Sequence, residues 1–239
     1  MRTALTSRHF QLHQNILCEL GHALKPGACV LDYGCGKGGM VEEYCGAGFD
    51  AFGCDISLES GTERLWRIES NGSIPYADGT FDFVFSDQVM EHVQDHEVAF
   101  SEIARVMKPN GISLHIFPSK LKPIENHVFV PLGGAIQNRG WLRLWAQLGV
   151  RNSFQKGKSA SEVVELNSQY LHQRTNYMSR RNLMKVVNRY FTEVTEAEKF
   201  LIKHSYGGAR HIYPTLRLFP FLARMYATFY SRAIFLRKV

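Results

Sequence analysis

The sequence has few cysteines and no long uncharged apolar run. Its five cysteines all lie before residue 55, without the paired spacing of a metal site or a disulfide framework. No stretch approaches the roughly 18 uncharged residues of a transmembrane helix. The first 20 residues also lack the continuous apolar core of a signal peptide. We therefore expect a cytoplasmic protein with reduced thiols.

Acidic residues are scarce in the second part of the chain. Residues 1–138 contain 10 Lys or Arg and 17 Asp or Glu, whereas residues 139–239 contain 18 and 5. A basic half can attract an acidic substrate, an anionic membrane surface or nucleic acid. A solvated helix face rich in Lys and Arg is the simpler interpretation.

A glycine-rich loop follows the first predicted strand. Residues 30–39 read VLDYGCGKGG, an apolar run that ends in Asp32 and continues into alternate glycines. Such a loop lets the backbone approach a ligand closely. A second apolar stretch ends in Asp55, about 20 residues further on, where dinucleotide-type folds place a ribose-binding carboxylate. The pattern predicts a cofactor that contains adenosine.

The loop discriminates only in part between such cofactors. A P-loop requires Ser or Thr after its Lys, whereas Gly38 follows Lys37 here, so ATP bound in that manner is not expected. A nicotinamide dinucleotide requires a third glycine three residues after the second, and Gly39 supplies it. The loop spacing alone leaves that cofactor open.

Residues 32–38, 74–93 and 102–111 together resemble the class I S-adenosylmethionine (SAM) methyltransferases, in their small-molecule, methyltransferase-11-like branch. The first motif of that family is matched by Asp32, Gly34, Gly36 and Gly38. Residues 74–86, IPYADGTFDFVFS, run on into VMEHV and are similar to the family's fourth-strand segment. Residues 102–111, EIARVMKPNG, are similar to the turn before the fifth strand, with Asn110 where glycine is more usual. Because Asn tolerates a left-handed backbone, we expect this turn to form.

The order of predicted elements indicates an α/β fold. Strands fall near 28–33, 50–55, 81–86 and 112–117, and helices near 9–24, 38–47, 57–69, 95–107 and 180–190. This alternation predicts a Rossmann-like, doubly wound, mostly parallel sheet. The resemblance implies seven strands with an antiparallel last strand, the final pair lying near 191–200 and from Arg232 onward.

We expect residues 1–239 to form a single SAM-dependent methyltransferase domain, with its core at 25–118 and 180–239. Prolines and the pair Gly133-Gly134 interrupt the pattern after Phe117, and Trp141 opens a new helical spacing. Residues 118–178 are therefore predicted to be a helical and irregular insertion after strand 5 that covers the substrate.

The resemblance also implies roles in a SAM site. Asp32 would order the loop or accept a hydrogen bond from the methionine amine, and Asp55 would bind both ribose hydroxyls. A helix N-cap is the alternative role for Asp55. Ile56 would pack on adenine. The predicted cofactor-binding residues are Asp32, Tyr33, Gly34, Cys35, Gly36, Gly38, Asp55, Ile56, Ser70, Asn71, Asp87 and Gln88.

Two histidines are candidate catalytic residues. A hydroxyl acceptor benefits from a base, and histidine titrates near neutral pH. His92 follows the fourth strand and His127 lies in the insertion, although either could be structural. Some methyltransferases of ubiquinone synthesis and of small-RNA ends carry a Glu-x-x-Glu-His metal motif here. Because Gln88 replaces the first Glu, and amides bind hard cations poorly, no metal is predicted.

The acceptor is predicted only by class. The Asn-Pro-Pro-Tyr type of motif for methylation of nucleobase amines is absent, since residues 86–89 read SDQV. We expect O-methylation of a small molecule, such as a glycan, an acidic or lipid-linked metabolite, or a quinone precursor. The alternatives are an RNA methyltransferase that uses the basic half and a non-catalytic SAM-binding scaffold.

A basic amphipathic segment precedes the last predicted strand. Its apolar and basic residues recur at helical spacing: Leu218, Leu222, Met225, Tyr226 and Phe229, with Arg217, Arg224 and Arg232 between them. Such a helix either packs on the sheet or lies in a membrane interface. Residues 215–230 are therefore a candidate for peripheral membrane contact.

Overall fold

The computed structural model describes residues 7–59, 61–216 and 218–238. Its strands are β1 Cys29–Tyr33, β2 Asp50–Asp55, β3 Leu65–Arg67, β4 Phe81–Asp87, β5 Met107–Pro118, β6 Glu193–Glu196 and β7 Ser231–Arg237. Its helices are α1 Arg8–Glu19, α2 Gly39–Gly46, α3 His96–Val106, α4 Arg139–Gln147, α5 Ala160–Arg174, α6 Arg180–Val187, α7 Glu198–His204, α8 Tyr213–Leu216 and α9 Phe221–Phe229. Short 3₁₀ helices span Ser153–Gln155 and Gly208–Ile212.

The strands form one sheet in the order β3-β2-β1-β4-β5-β7-β6. Strands β1 to β5 pair in parallel, and β7 runs antiparallel to both β5 and β6. The predicted seven-stranded, mostly parallel sheet with an antiparallel last strand is therefore confirmed. The chain reverses its direction of winding between β1 and β4, and the carboxyl ends of strands at such a point form a natural ligand crevice.

Apolar side chains cover both faces of the sheet. On one face, Phe81, Phe100 and Ile103 are fully buried between the strands and helices such as α3. On the other, Ile16 of α1 and Tyr44 of α2 pack with aromatic side chains of β4 and β7. Burial of each such side chain contributes about 1.5–3 kcal/mol to folding. The two cores hold the carboxyl ends of the strands in fixed positions.

Three predicted elements differ in the structure. The helix predicted near 57–69 is wrong, because this segment forms β3, which pairs with β2 through Gly53 and Leu65. The Tyr76 hydroxyl donates toward the carbonyls of Gly53 and Arg64 and holds the segment against the sheet edge. The first helix ends at Glu19, and the strand near 191–200 gives way to α7. Asn110 has φ +61°, as the predicted turn requires.

Residues 119–178 build a small layer above the sheet. Helix α4 begins after Asn138, and α5 begins after Ser159, whose hydroxyl and backbone form a reciprocal cap with Glu162. These helices share an apolar cluster that includes Val130, Leu142 and Leu171. This cluster is separate from the two cores that cover the faces of the sheet.

The segment between β6 and β7 contains α7, α8 and α9. The predicted helix near 215–230 is interrupted: α8 ends at Leu216, and α9 begins at Phe221. Arg217 lies outside the described residues. Across the part of the chain that the structure describes, no helix has the length and apolar character to cross a membrane.

Candidate active site

A cavity of about 1160 Å³ lies at the carboxyl ends of β1, β2 and β4. Its walls include residues from the glycine loop, the loop after β2, the loop after β4 and α5. A typical small-molecule pocket has a volume of roughly 300–1,000 Å³. The cavity therefore has room for a nucleoside cofactor beside a second small molecule.

The glycine loop brings its backbone close to this cavity. Gly34 has φ +85°, and a β-carbon there would lie 2.4 Å from a methyl group of Val89, so a larger residue does not fit. The Gly34 and Cys35 amides both donate to the Cys54 carbonyl, at 2.7 and 3.1 Å. These bonds fix the loop on β2. No atom lies within 4 Å of the position that a β-carbon would take at Gly36, so the space beside its backbone is open.

Asp55 lies at the end of β2 and lines the cavity. One carboxylate oxygen accepts a hydrogen bond from the Gly36 amide at 2.9 Å, and the other accepts bonds from the amide and hydroxyl of Ser57 at 2.7 Å. No described helix begins after Asp55, so the N-cap alternative is not observed. Rotation of the Ser57 hydroxyl would free an acceptor site toward the cavity.

Two further carboxylates lie behind the loop. Asp32 is buried, and burial together with Asp87 and Asp55 raises its pKa to about 8. Asp87 is also largely enclosed, which would raise its pKa, but a 2.6 Å contact with His9 and the nearby His13 lower it. Asp32 is therefore mostly protonated at neutral pH, and a nearby cation would favour its ionised form.

The predicted cofactor residues divide into two groups. Seven of them line the cavity: Tyr33, Gly34, Asp55, Ile56, Ser70, Asn71 and Gln88. The other five lie beneath or beside it: Asp32, Cys35, Gly36, Gly38 and Asp87. Ile56 is 64% exposed and presents an apolar surface to the cavity. The structure thus brings the predicted cofactor residues together near the carboxyl ends of the strands, but only seven of them line the cavity.

The two predicted histidines lie together at the other end of this region. The rings of His92 and His127 meet edge to face with centroids 4.9 Å apart, and His92 lines the cavity. His92 Nδ1 lies 2.6 Å from the Arg174 carbonyl, which can only accept, so the proton is on Nδ1 and Nε2 is free to accept. Burial lowers the pKa of His92.

His127 is held by a buried carboxylate. Its Nδ1 lies 2.6 Å from Glu125 Oε1, which also accepts a hydrogen bond from the Tyr177 hydroxyl at 2.6 Å. The other Glu125 oxygen accepts from the amides of His127 and Val128, both at 2.7 Å. Burial would raise the pKa of Glu125, but these donors hold it at about 2. The ionised Glu125 carboxylate binds Nδ1 and so fixes the orientation of the His127 ring, which leaves Nε2 on the other side of the ring.

A third titratable group adjoins the histidines. The Glu91 side chain is buried, its Oε2 has no hydrogen-bond partner, and burial raises its pKa to about 7. Donor atoms of Glu91, His92 and His127 lie within 4.8 Å of one another. These three residues are the described group that could hold a cation, while a protonated Glu91 is the alternative that needs none.

Sequence patterns did not identify the residues that support the histidines. Tyr170 of α5 lies 5.2 Å from the His127 ring, and the Tyr177 hydroxyl binds Glu125. Asn176 donates from its backbone to the Glu91 carbonyl at 2.6 Å and ties this segment to the loop after β4. These contacts join positions about 40 to 85 residues apart in sequence. No local spacing could have revealed them.

Comparison with known proteins gives one family. Residues 31–114 match the family model described as a methyltransferase domain. The chain is 34% identical over 103 residues to the 2-methyl-6-phytyl-1,4-hydroquinone methyltransferase of Synechocystis, covering 37% of this chain and 31% of that protein. It is 31% identical over 140 residues to the ubiquinone biosynthesis O-methyltransferase of Aliivibrio fischeri, covering 51% and 58%. The chain therefore spans less than two thirds of either relative.

A solved structure shares the fold over nearly the full chain. The YcgJ protein of Bacillus subtilis superimposes with a TM-score of 0.51 at 15% sequence identity, covering 95% of this chain and 98% of that one. At this identity the likeness concerns the fold alone. Together with the family match to residues 31–114 and the order of the sheet, it confirms the predicted resemblance. Residues 31–114 therefore resemble a methyltransferase domain of the class I SAM-dependent family.

Proposed function

We propose that this protein transfers a methyl group from SAM to a hydroxyl oxygen of a small, quinone-like acceptor. The observation that carries the proposal is the single cavity edge that joins Asp55 and Gly34 to His92, with His127 directly behind. A nucleoside site and a basic group at one crevice are what such a transfer requires.

The residues present fit SAM. A ribose would find the Asp55 carboxylate, and the methionyl part would lie along the glycine loop, where Gly34 and Gly36 add no side-chain bulk. Ile56 would pack on the adenine, with Ser70 and Asn71 at its edge. The buried carboxyl of Asp32, with its raised pKa, would be ionised by the positive charges of the cofactor.

When bound, SAM supplies a methyl group on a positively charged sulfur, already a good electrophile. The chain's own residues align the acceptor and exclude water. As the new oxygen–carbon bond forms, the bond between that carbon and sulfur breaks and S-adenosylhomocysteine is the leaving group, so the hydroxyl proton must also leave. His127 Nε2 takes this proton, because Glu125 holds Nδ1–H and stabilises the resulting imidazolium. His92 lines the cavity beside the His127 ring, and its Nε2, which is also free to accept, orients the hydroxyl.

The relatives support a quinone-like acceptor. The Synechocystis protein is named for a hydroquinone and the Aliivibrio protein for ubiquinone biosynthesis. An aromatic hydroxyl suits this site, since the rings of His127 and Tyr170 lie beside the cavity wall. Residues 119–178 act as the lid that covers it, in line with their own apolar cluster and with the placement of Tyr170, Gln173 and Arg174 on the cavity wall.

A panel of acceptors tests the proposal. Purified protein would be incubated with SAM and with pairs of compounds in which the single hydroxyl of one is a methyl ether in the other, such as a phenol and the corresponding anisole. We expect methyl transfer to the hydroxyl compound alone. Transfer to a short RNA but to no phenol would favour the RNA alternative, and SAM binding without transfer to any extract fraction would favour the scaffold.

A further inference from the structure

The segment from Leu218 to Tyr230 exposes an apolar surface that the fold does not use. In helix α9 only Ala227 is buried, Tyr226 packs against the core, and Leu222 is half-buried. The opposite face of the helix carries Phe221, Met225 and Phe229, which are 56, 48 and 40% exposed. These residues lie four apart and so share one side of the helix.

Residues that precede the helix extend this surface. Leu218 is 76% exposed and Phe219 is 50% exposed, and the Phe219 ring packs against that of Phe221 with centroids 6.1 Å apart. Scattered exposed apolar residues are normal, but a continuous group of this kind marks an interaction site. We name it the 218–230 surface.

The charge near the 218–230 surface is mainly positive. From Lys199 to residue 239 the sequence contains eight Lys or Arg and no Asp or Glu. Arg224 flanks the apolar face and is exposed, as is Arg210 on the preceding 3₁₀ helix. Three other cations of this stretch are paired or buried: Lys203 pairs with Glu19, Arg237 pairs with Glu193, and Arg232 is buried. Of the acids nearest in the fold, Glu196 is paired with Arg180 and also interacts with Arg224, and Glu198 is buried. The apolar face is therefore bordered by more positive than negative charge.

The 218–230 surface, like the cavity, lies at the carboxyl-terminal end of the sheet. The Ser119 amide donates to the Tyr230 carbonyl at 2.9 Å, and Ser119 also donates to the Thr228 carbonyl. Both bonds place the end of α9 at the carboxyl end of β5, where Pro118 pairs with Ser231. The surface and the cavity therefore both lie at the carboxyl-terminal end of the sheet.

We propose that the 218–230 surface binds an anionic lipid bilayer, with its aromatic and Met side chains among the acyl chains and Arg224 and Arg210 at the headgroup phosphates. An apolar helix face bordered by arginines matches both layers of such an interface. The charge complementarity favours an anionic lipid surface over a second copy of this chain, which would bring like charges together.

Co-sedimentation with vesicles tests this inference without cofactor or acceptor, so its outcome is separate from that of the proposed function. The probes are phosphatidylcholine vesicles with and without about a third phosphatidylglycerol. We expect binding to the anionic vesicles only, weakened about tenfold or more by the double change Phe221→Ser and Phe229→Ser, and also weakened by Arg224→Gln and by added salt.

The matched control is Phe154→Ser, because Phe154 is 87% exposed but lies in the 3₁₀ helix of residues 153–155. This control should bind anionic vesicles as the unaltered protein does. The altered α9 side chains are exposed, so circular dichroism should show an unchanged fold. Equal binding by the double variant and the unaltered protein would overturn the inference. So would an absence of vesicle binding, or a dimer in light scattering that only the α9 changes dissociate.

Discussion

The His127 ring lies edge to face against the His92 ring, 4.9 Å between centroids, with its Nδ1 on the buried Glu125 carboxylate. A loop of the insertion and the loop after β4 thus contribute two adjacent imidazoles, each held through its Nδ1. This relationship gives the site a direction, from the nucleoside end at Asp55 to the acceptor end at the histidines.

Replacement of His127 by Ala should lower turnover about 10²–10⁴-fold, the usual contribution of a positioned acid or base. SAM affinity should stay the same, because His127 does not line the cofactor end of the cavity. Steady-state kinetics and calorimetry would measure the two quantities. His172→Ala is the control, since His172 is exposed on α5 and bonds only to the Ser168 carbonyl. Unchanged turnover in His127→Ala would make this residue structural.

Glu125 should contribute to stability in a pH-dependent way. Its folded pKa of about 2 lies below the ordinary value of 4.5, so ionised Glu125 stabilises the fold above pH 4.5. This contribution, a few kcal/mol in order of magnitude, is lost as the pH falls from 4.5 toward 2. Urea unfolding at several pH values should show the slope for the natural chain and a weaker slope for Glu125→Gln. Equal slopes would contradict the assignment.

Asp55→Ala should weaken SAM binding by about 1.5–3 kcal/mol, the scale of hydrogen bonds to a charged group. The control is Asp50→Ala. Asp50 is the first residue of β2, at the opposite end of the strand from Asp55, and it pairs with Arg64 on the surface. Isothermal calorimetry compares the two variants. Equal affinity of the natural chain and Asp55→Ala would refute the ribose role of this carboxylate.

SAM affinity should rise with pH because of Asp32. The raised pKa of about 8 means that a cationic ligand must displace a proton from Asp32 at lower pH. Affinity should therefore increase from pH 6 to about 8, by up to about tenfold per pH unit, and then level off. Asp32→Asn removes this contribution while the titration of SAM itself is unchanged. Parallel pH profiles for both proteins would show that Asp32 does not respond to the cofactor.

Turnover should not require a metal ion. Gln88 stands where a second carboxylate would be, and a Glu91 with a pKa of about 7 is partly protonated, so the group with His92 and His127 is a weak cage for a hard cation. Activity after treatment with a chelator should equal that before. A loss that is restored by one divalent metal would instead place a cation on Glu91, His92 and His127.

The sequence predicted the parts of the site that belong to local units. Asp55 and Gly36 are bonded because a strand, a glycine turn and a helix bring them together at a fixed spacing, and that spacing is legible. The sequence did not predict the edge strand β3. A strand of three residues is too short to show the alternation of apolar and polar residues that distinguishes a strand from a helix. Tyr177 and Glu125 meet through the tertiary fold of the insertion, which no local period encodes.

The side of α9 that packs on the rest of the protein could not be predicted from the sequence either. Met225 and Phe229 share helical spacing with Leu222 and Tyr226, so the pattern could not tell which side of the helix packs. The positions of β7 and Ser119 determine which side of α9 packs, because both hold the end of this helix at β5.

Mass spectrometry of a cell extract incubated with the protein and deuterated-methyl SAM tests the central claim most directly. We predict one labelled methyl group on a hydroxyl oxygen of a small quinone-like compound, formed by the natural chain and strongly reduced with His127→Ala. Label found only on RNA, on nitrogen or carbon of another acceptor, or on nothing at all would contradict it.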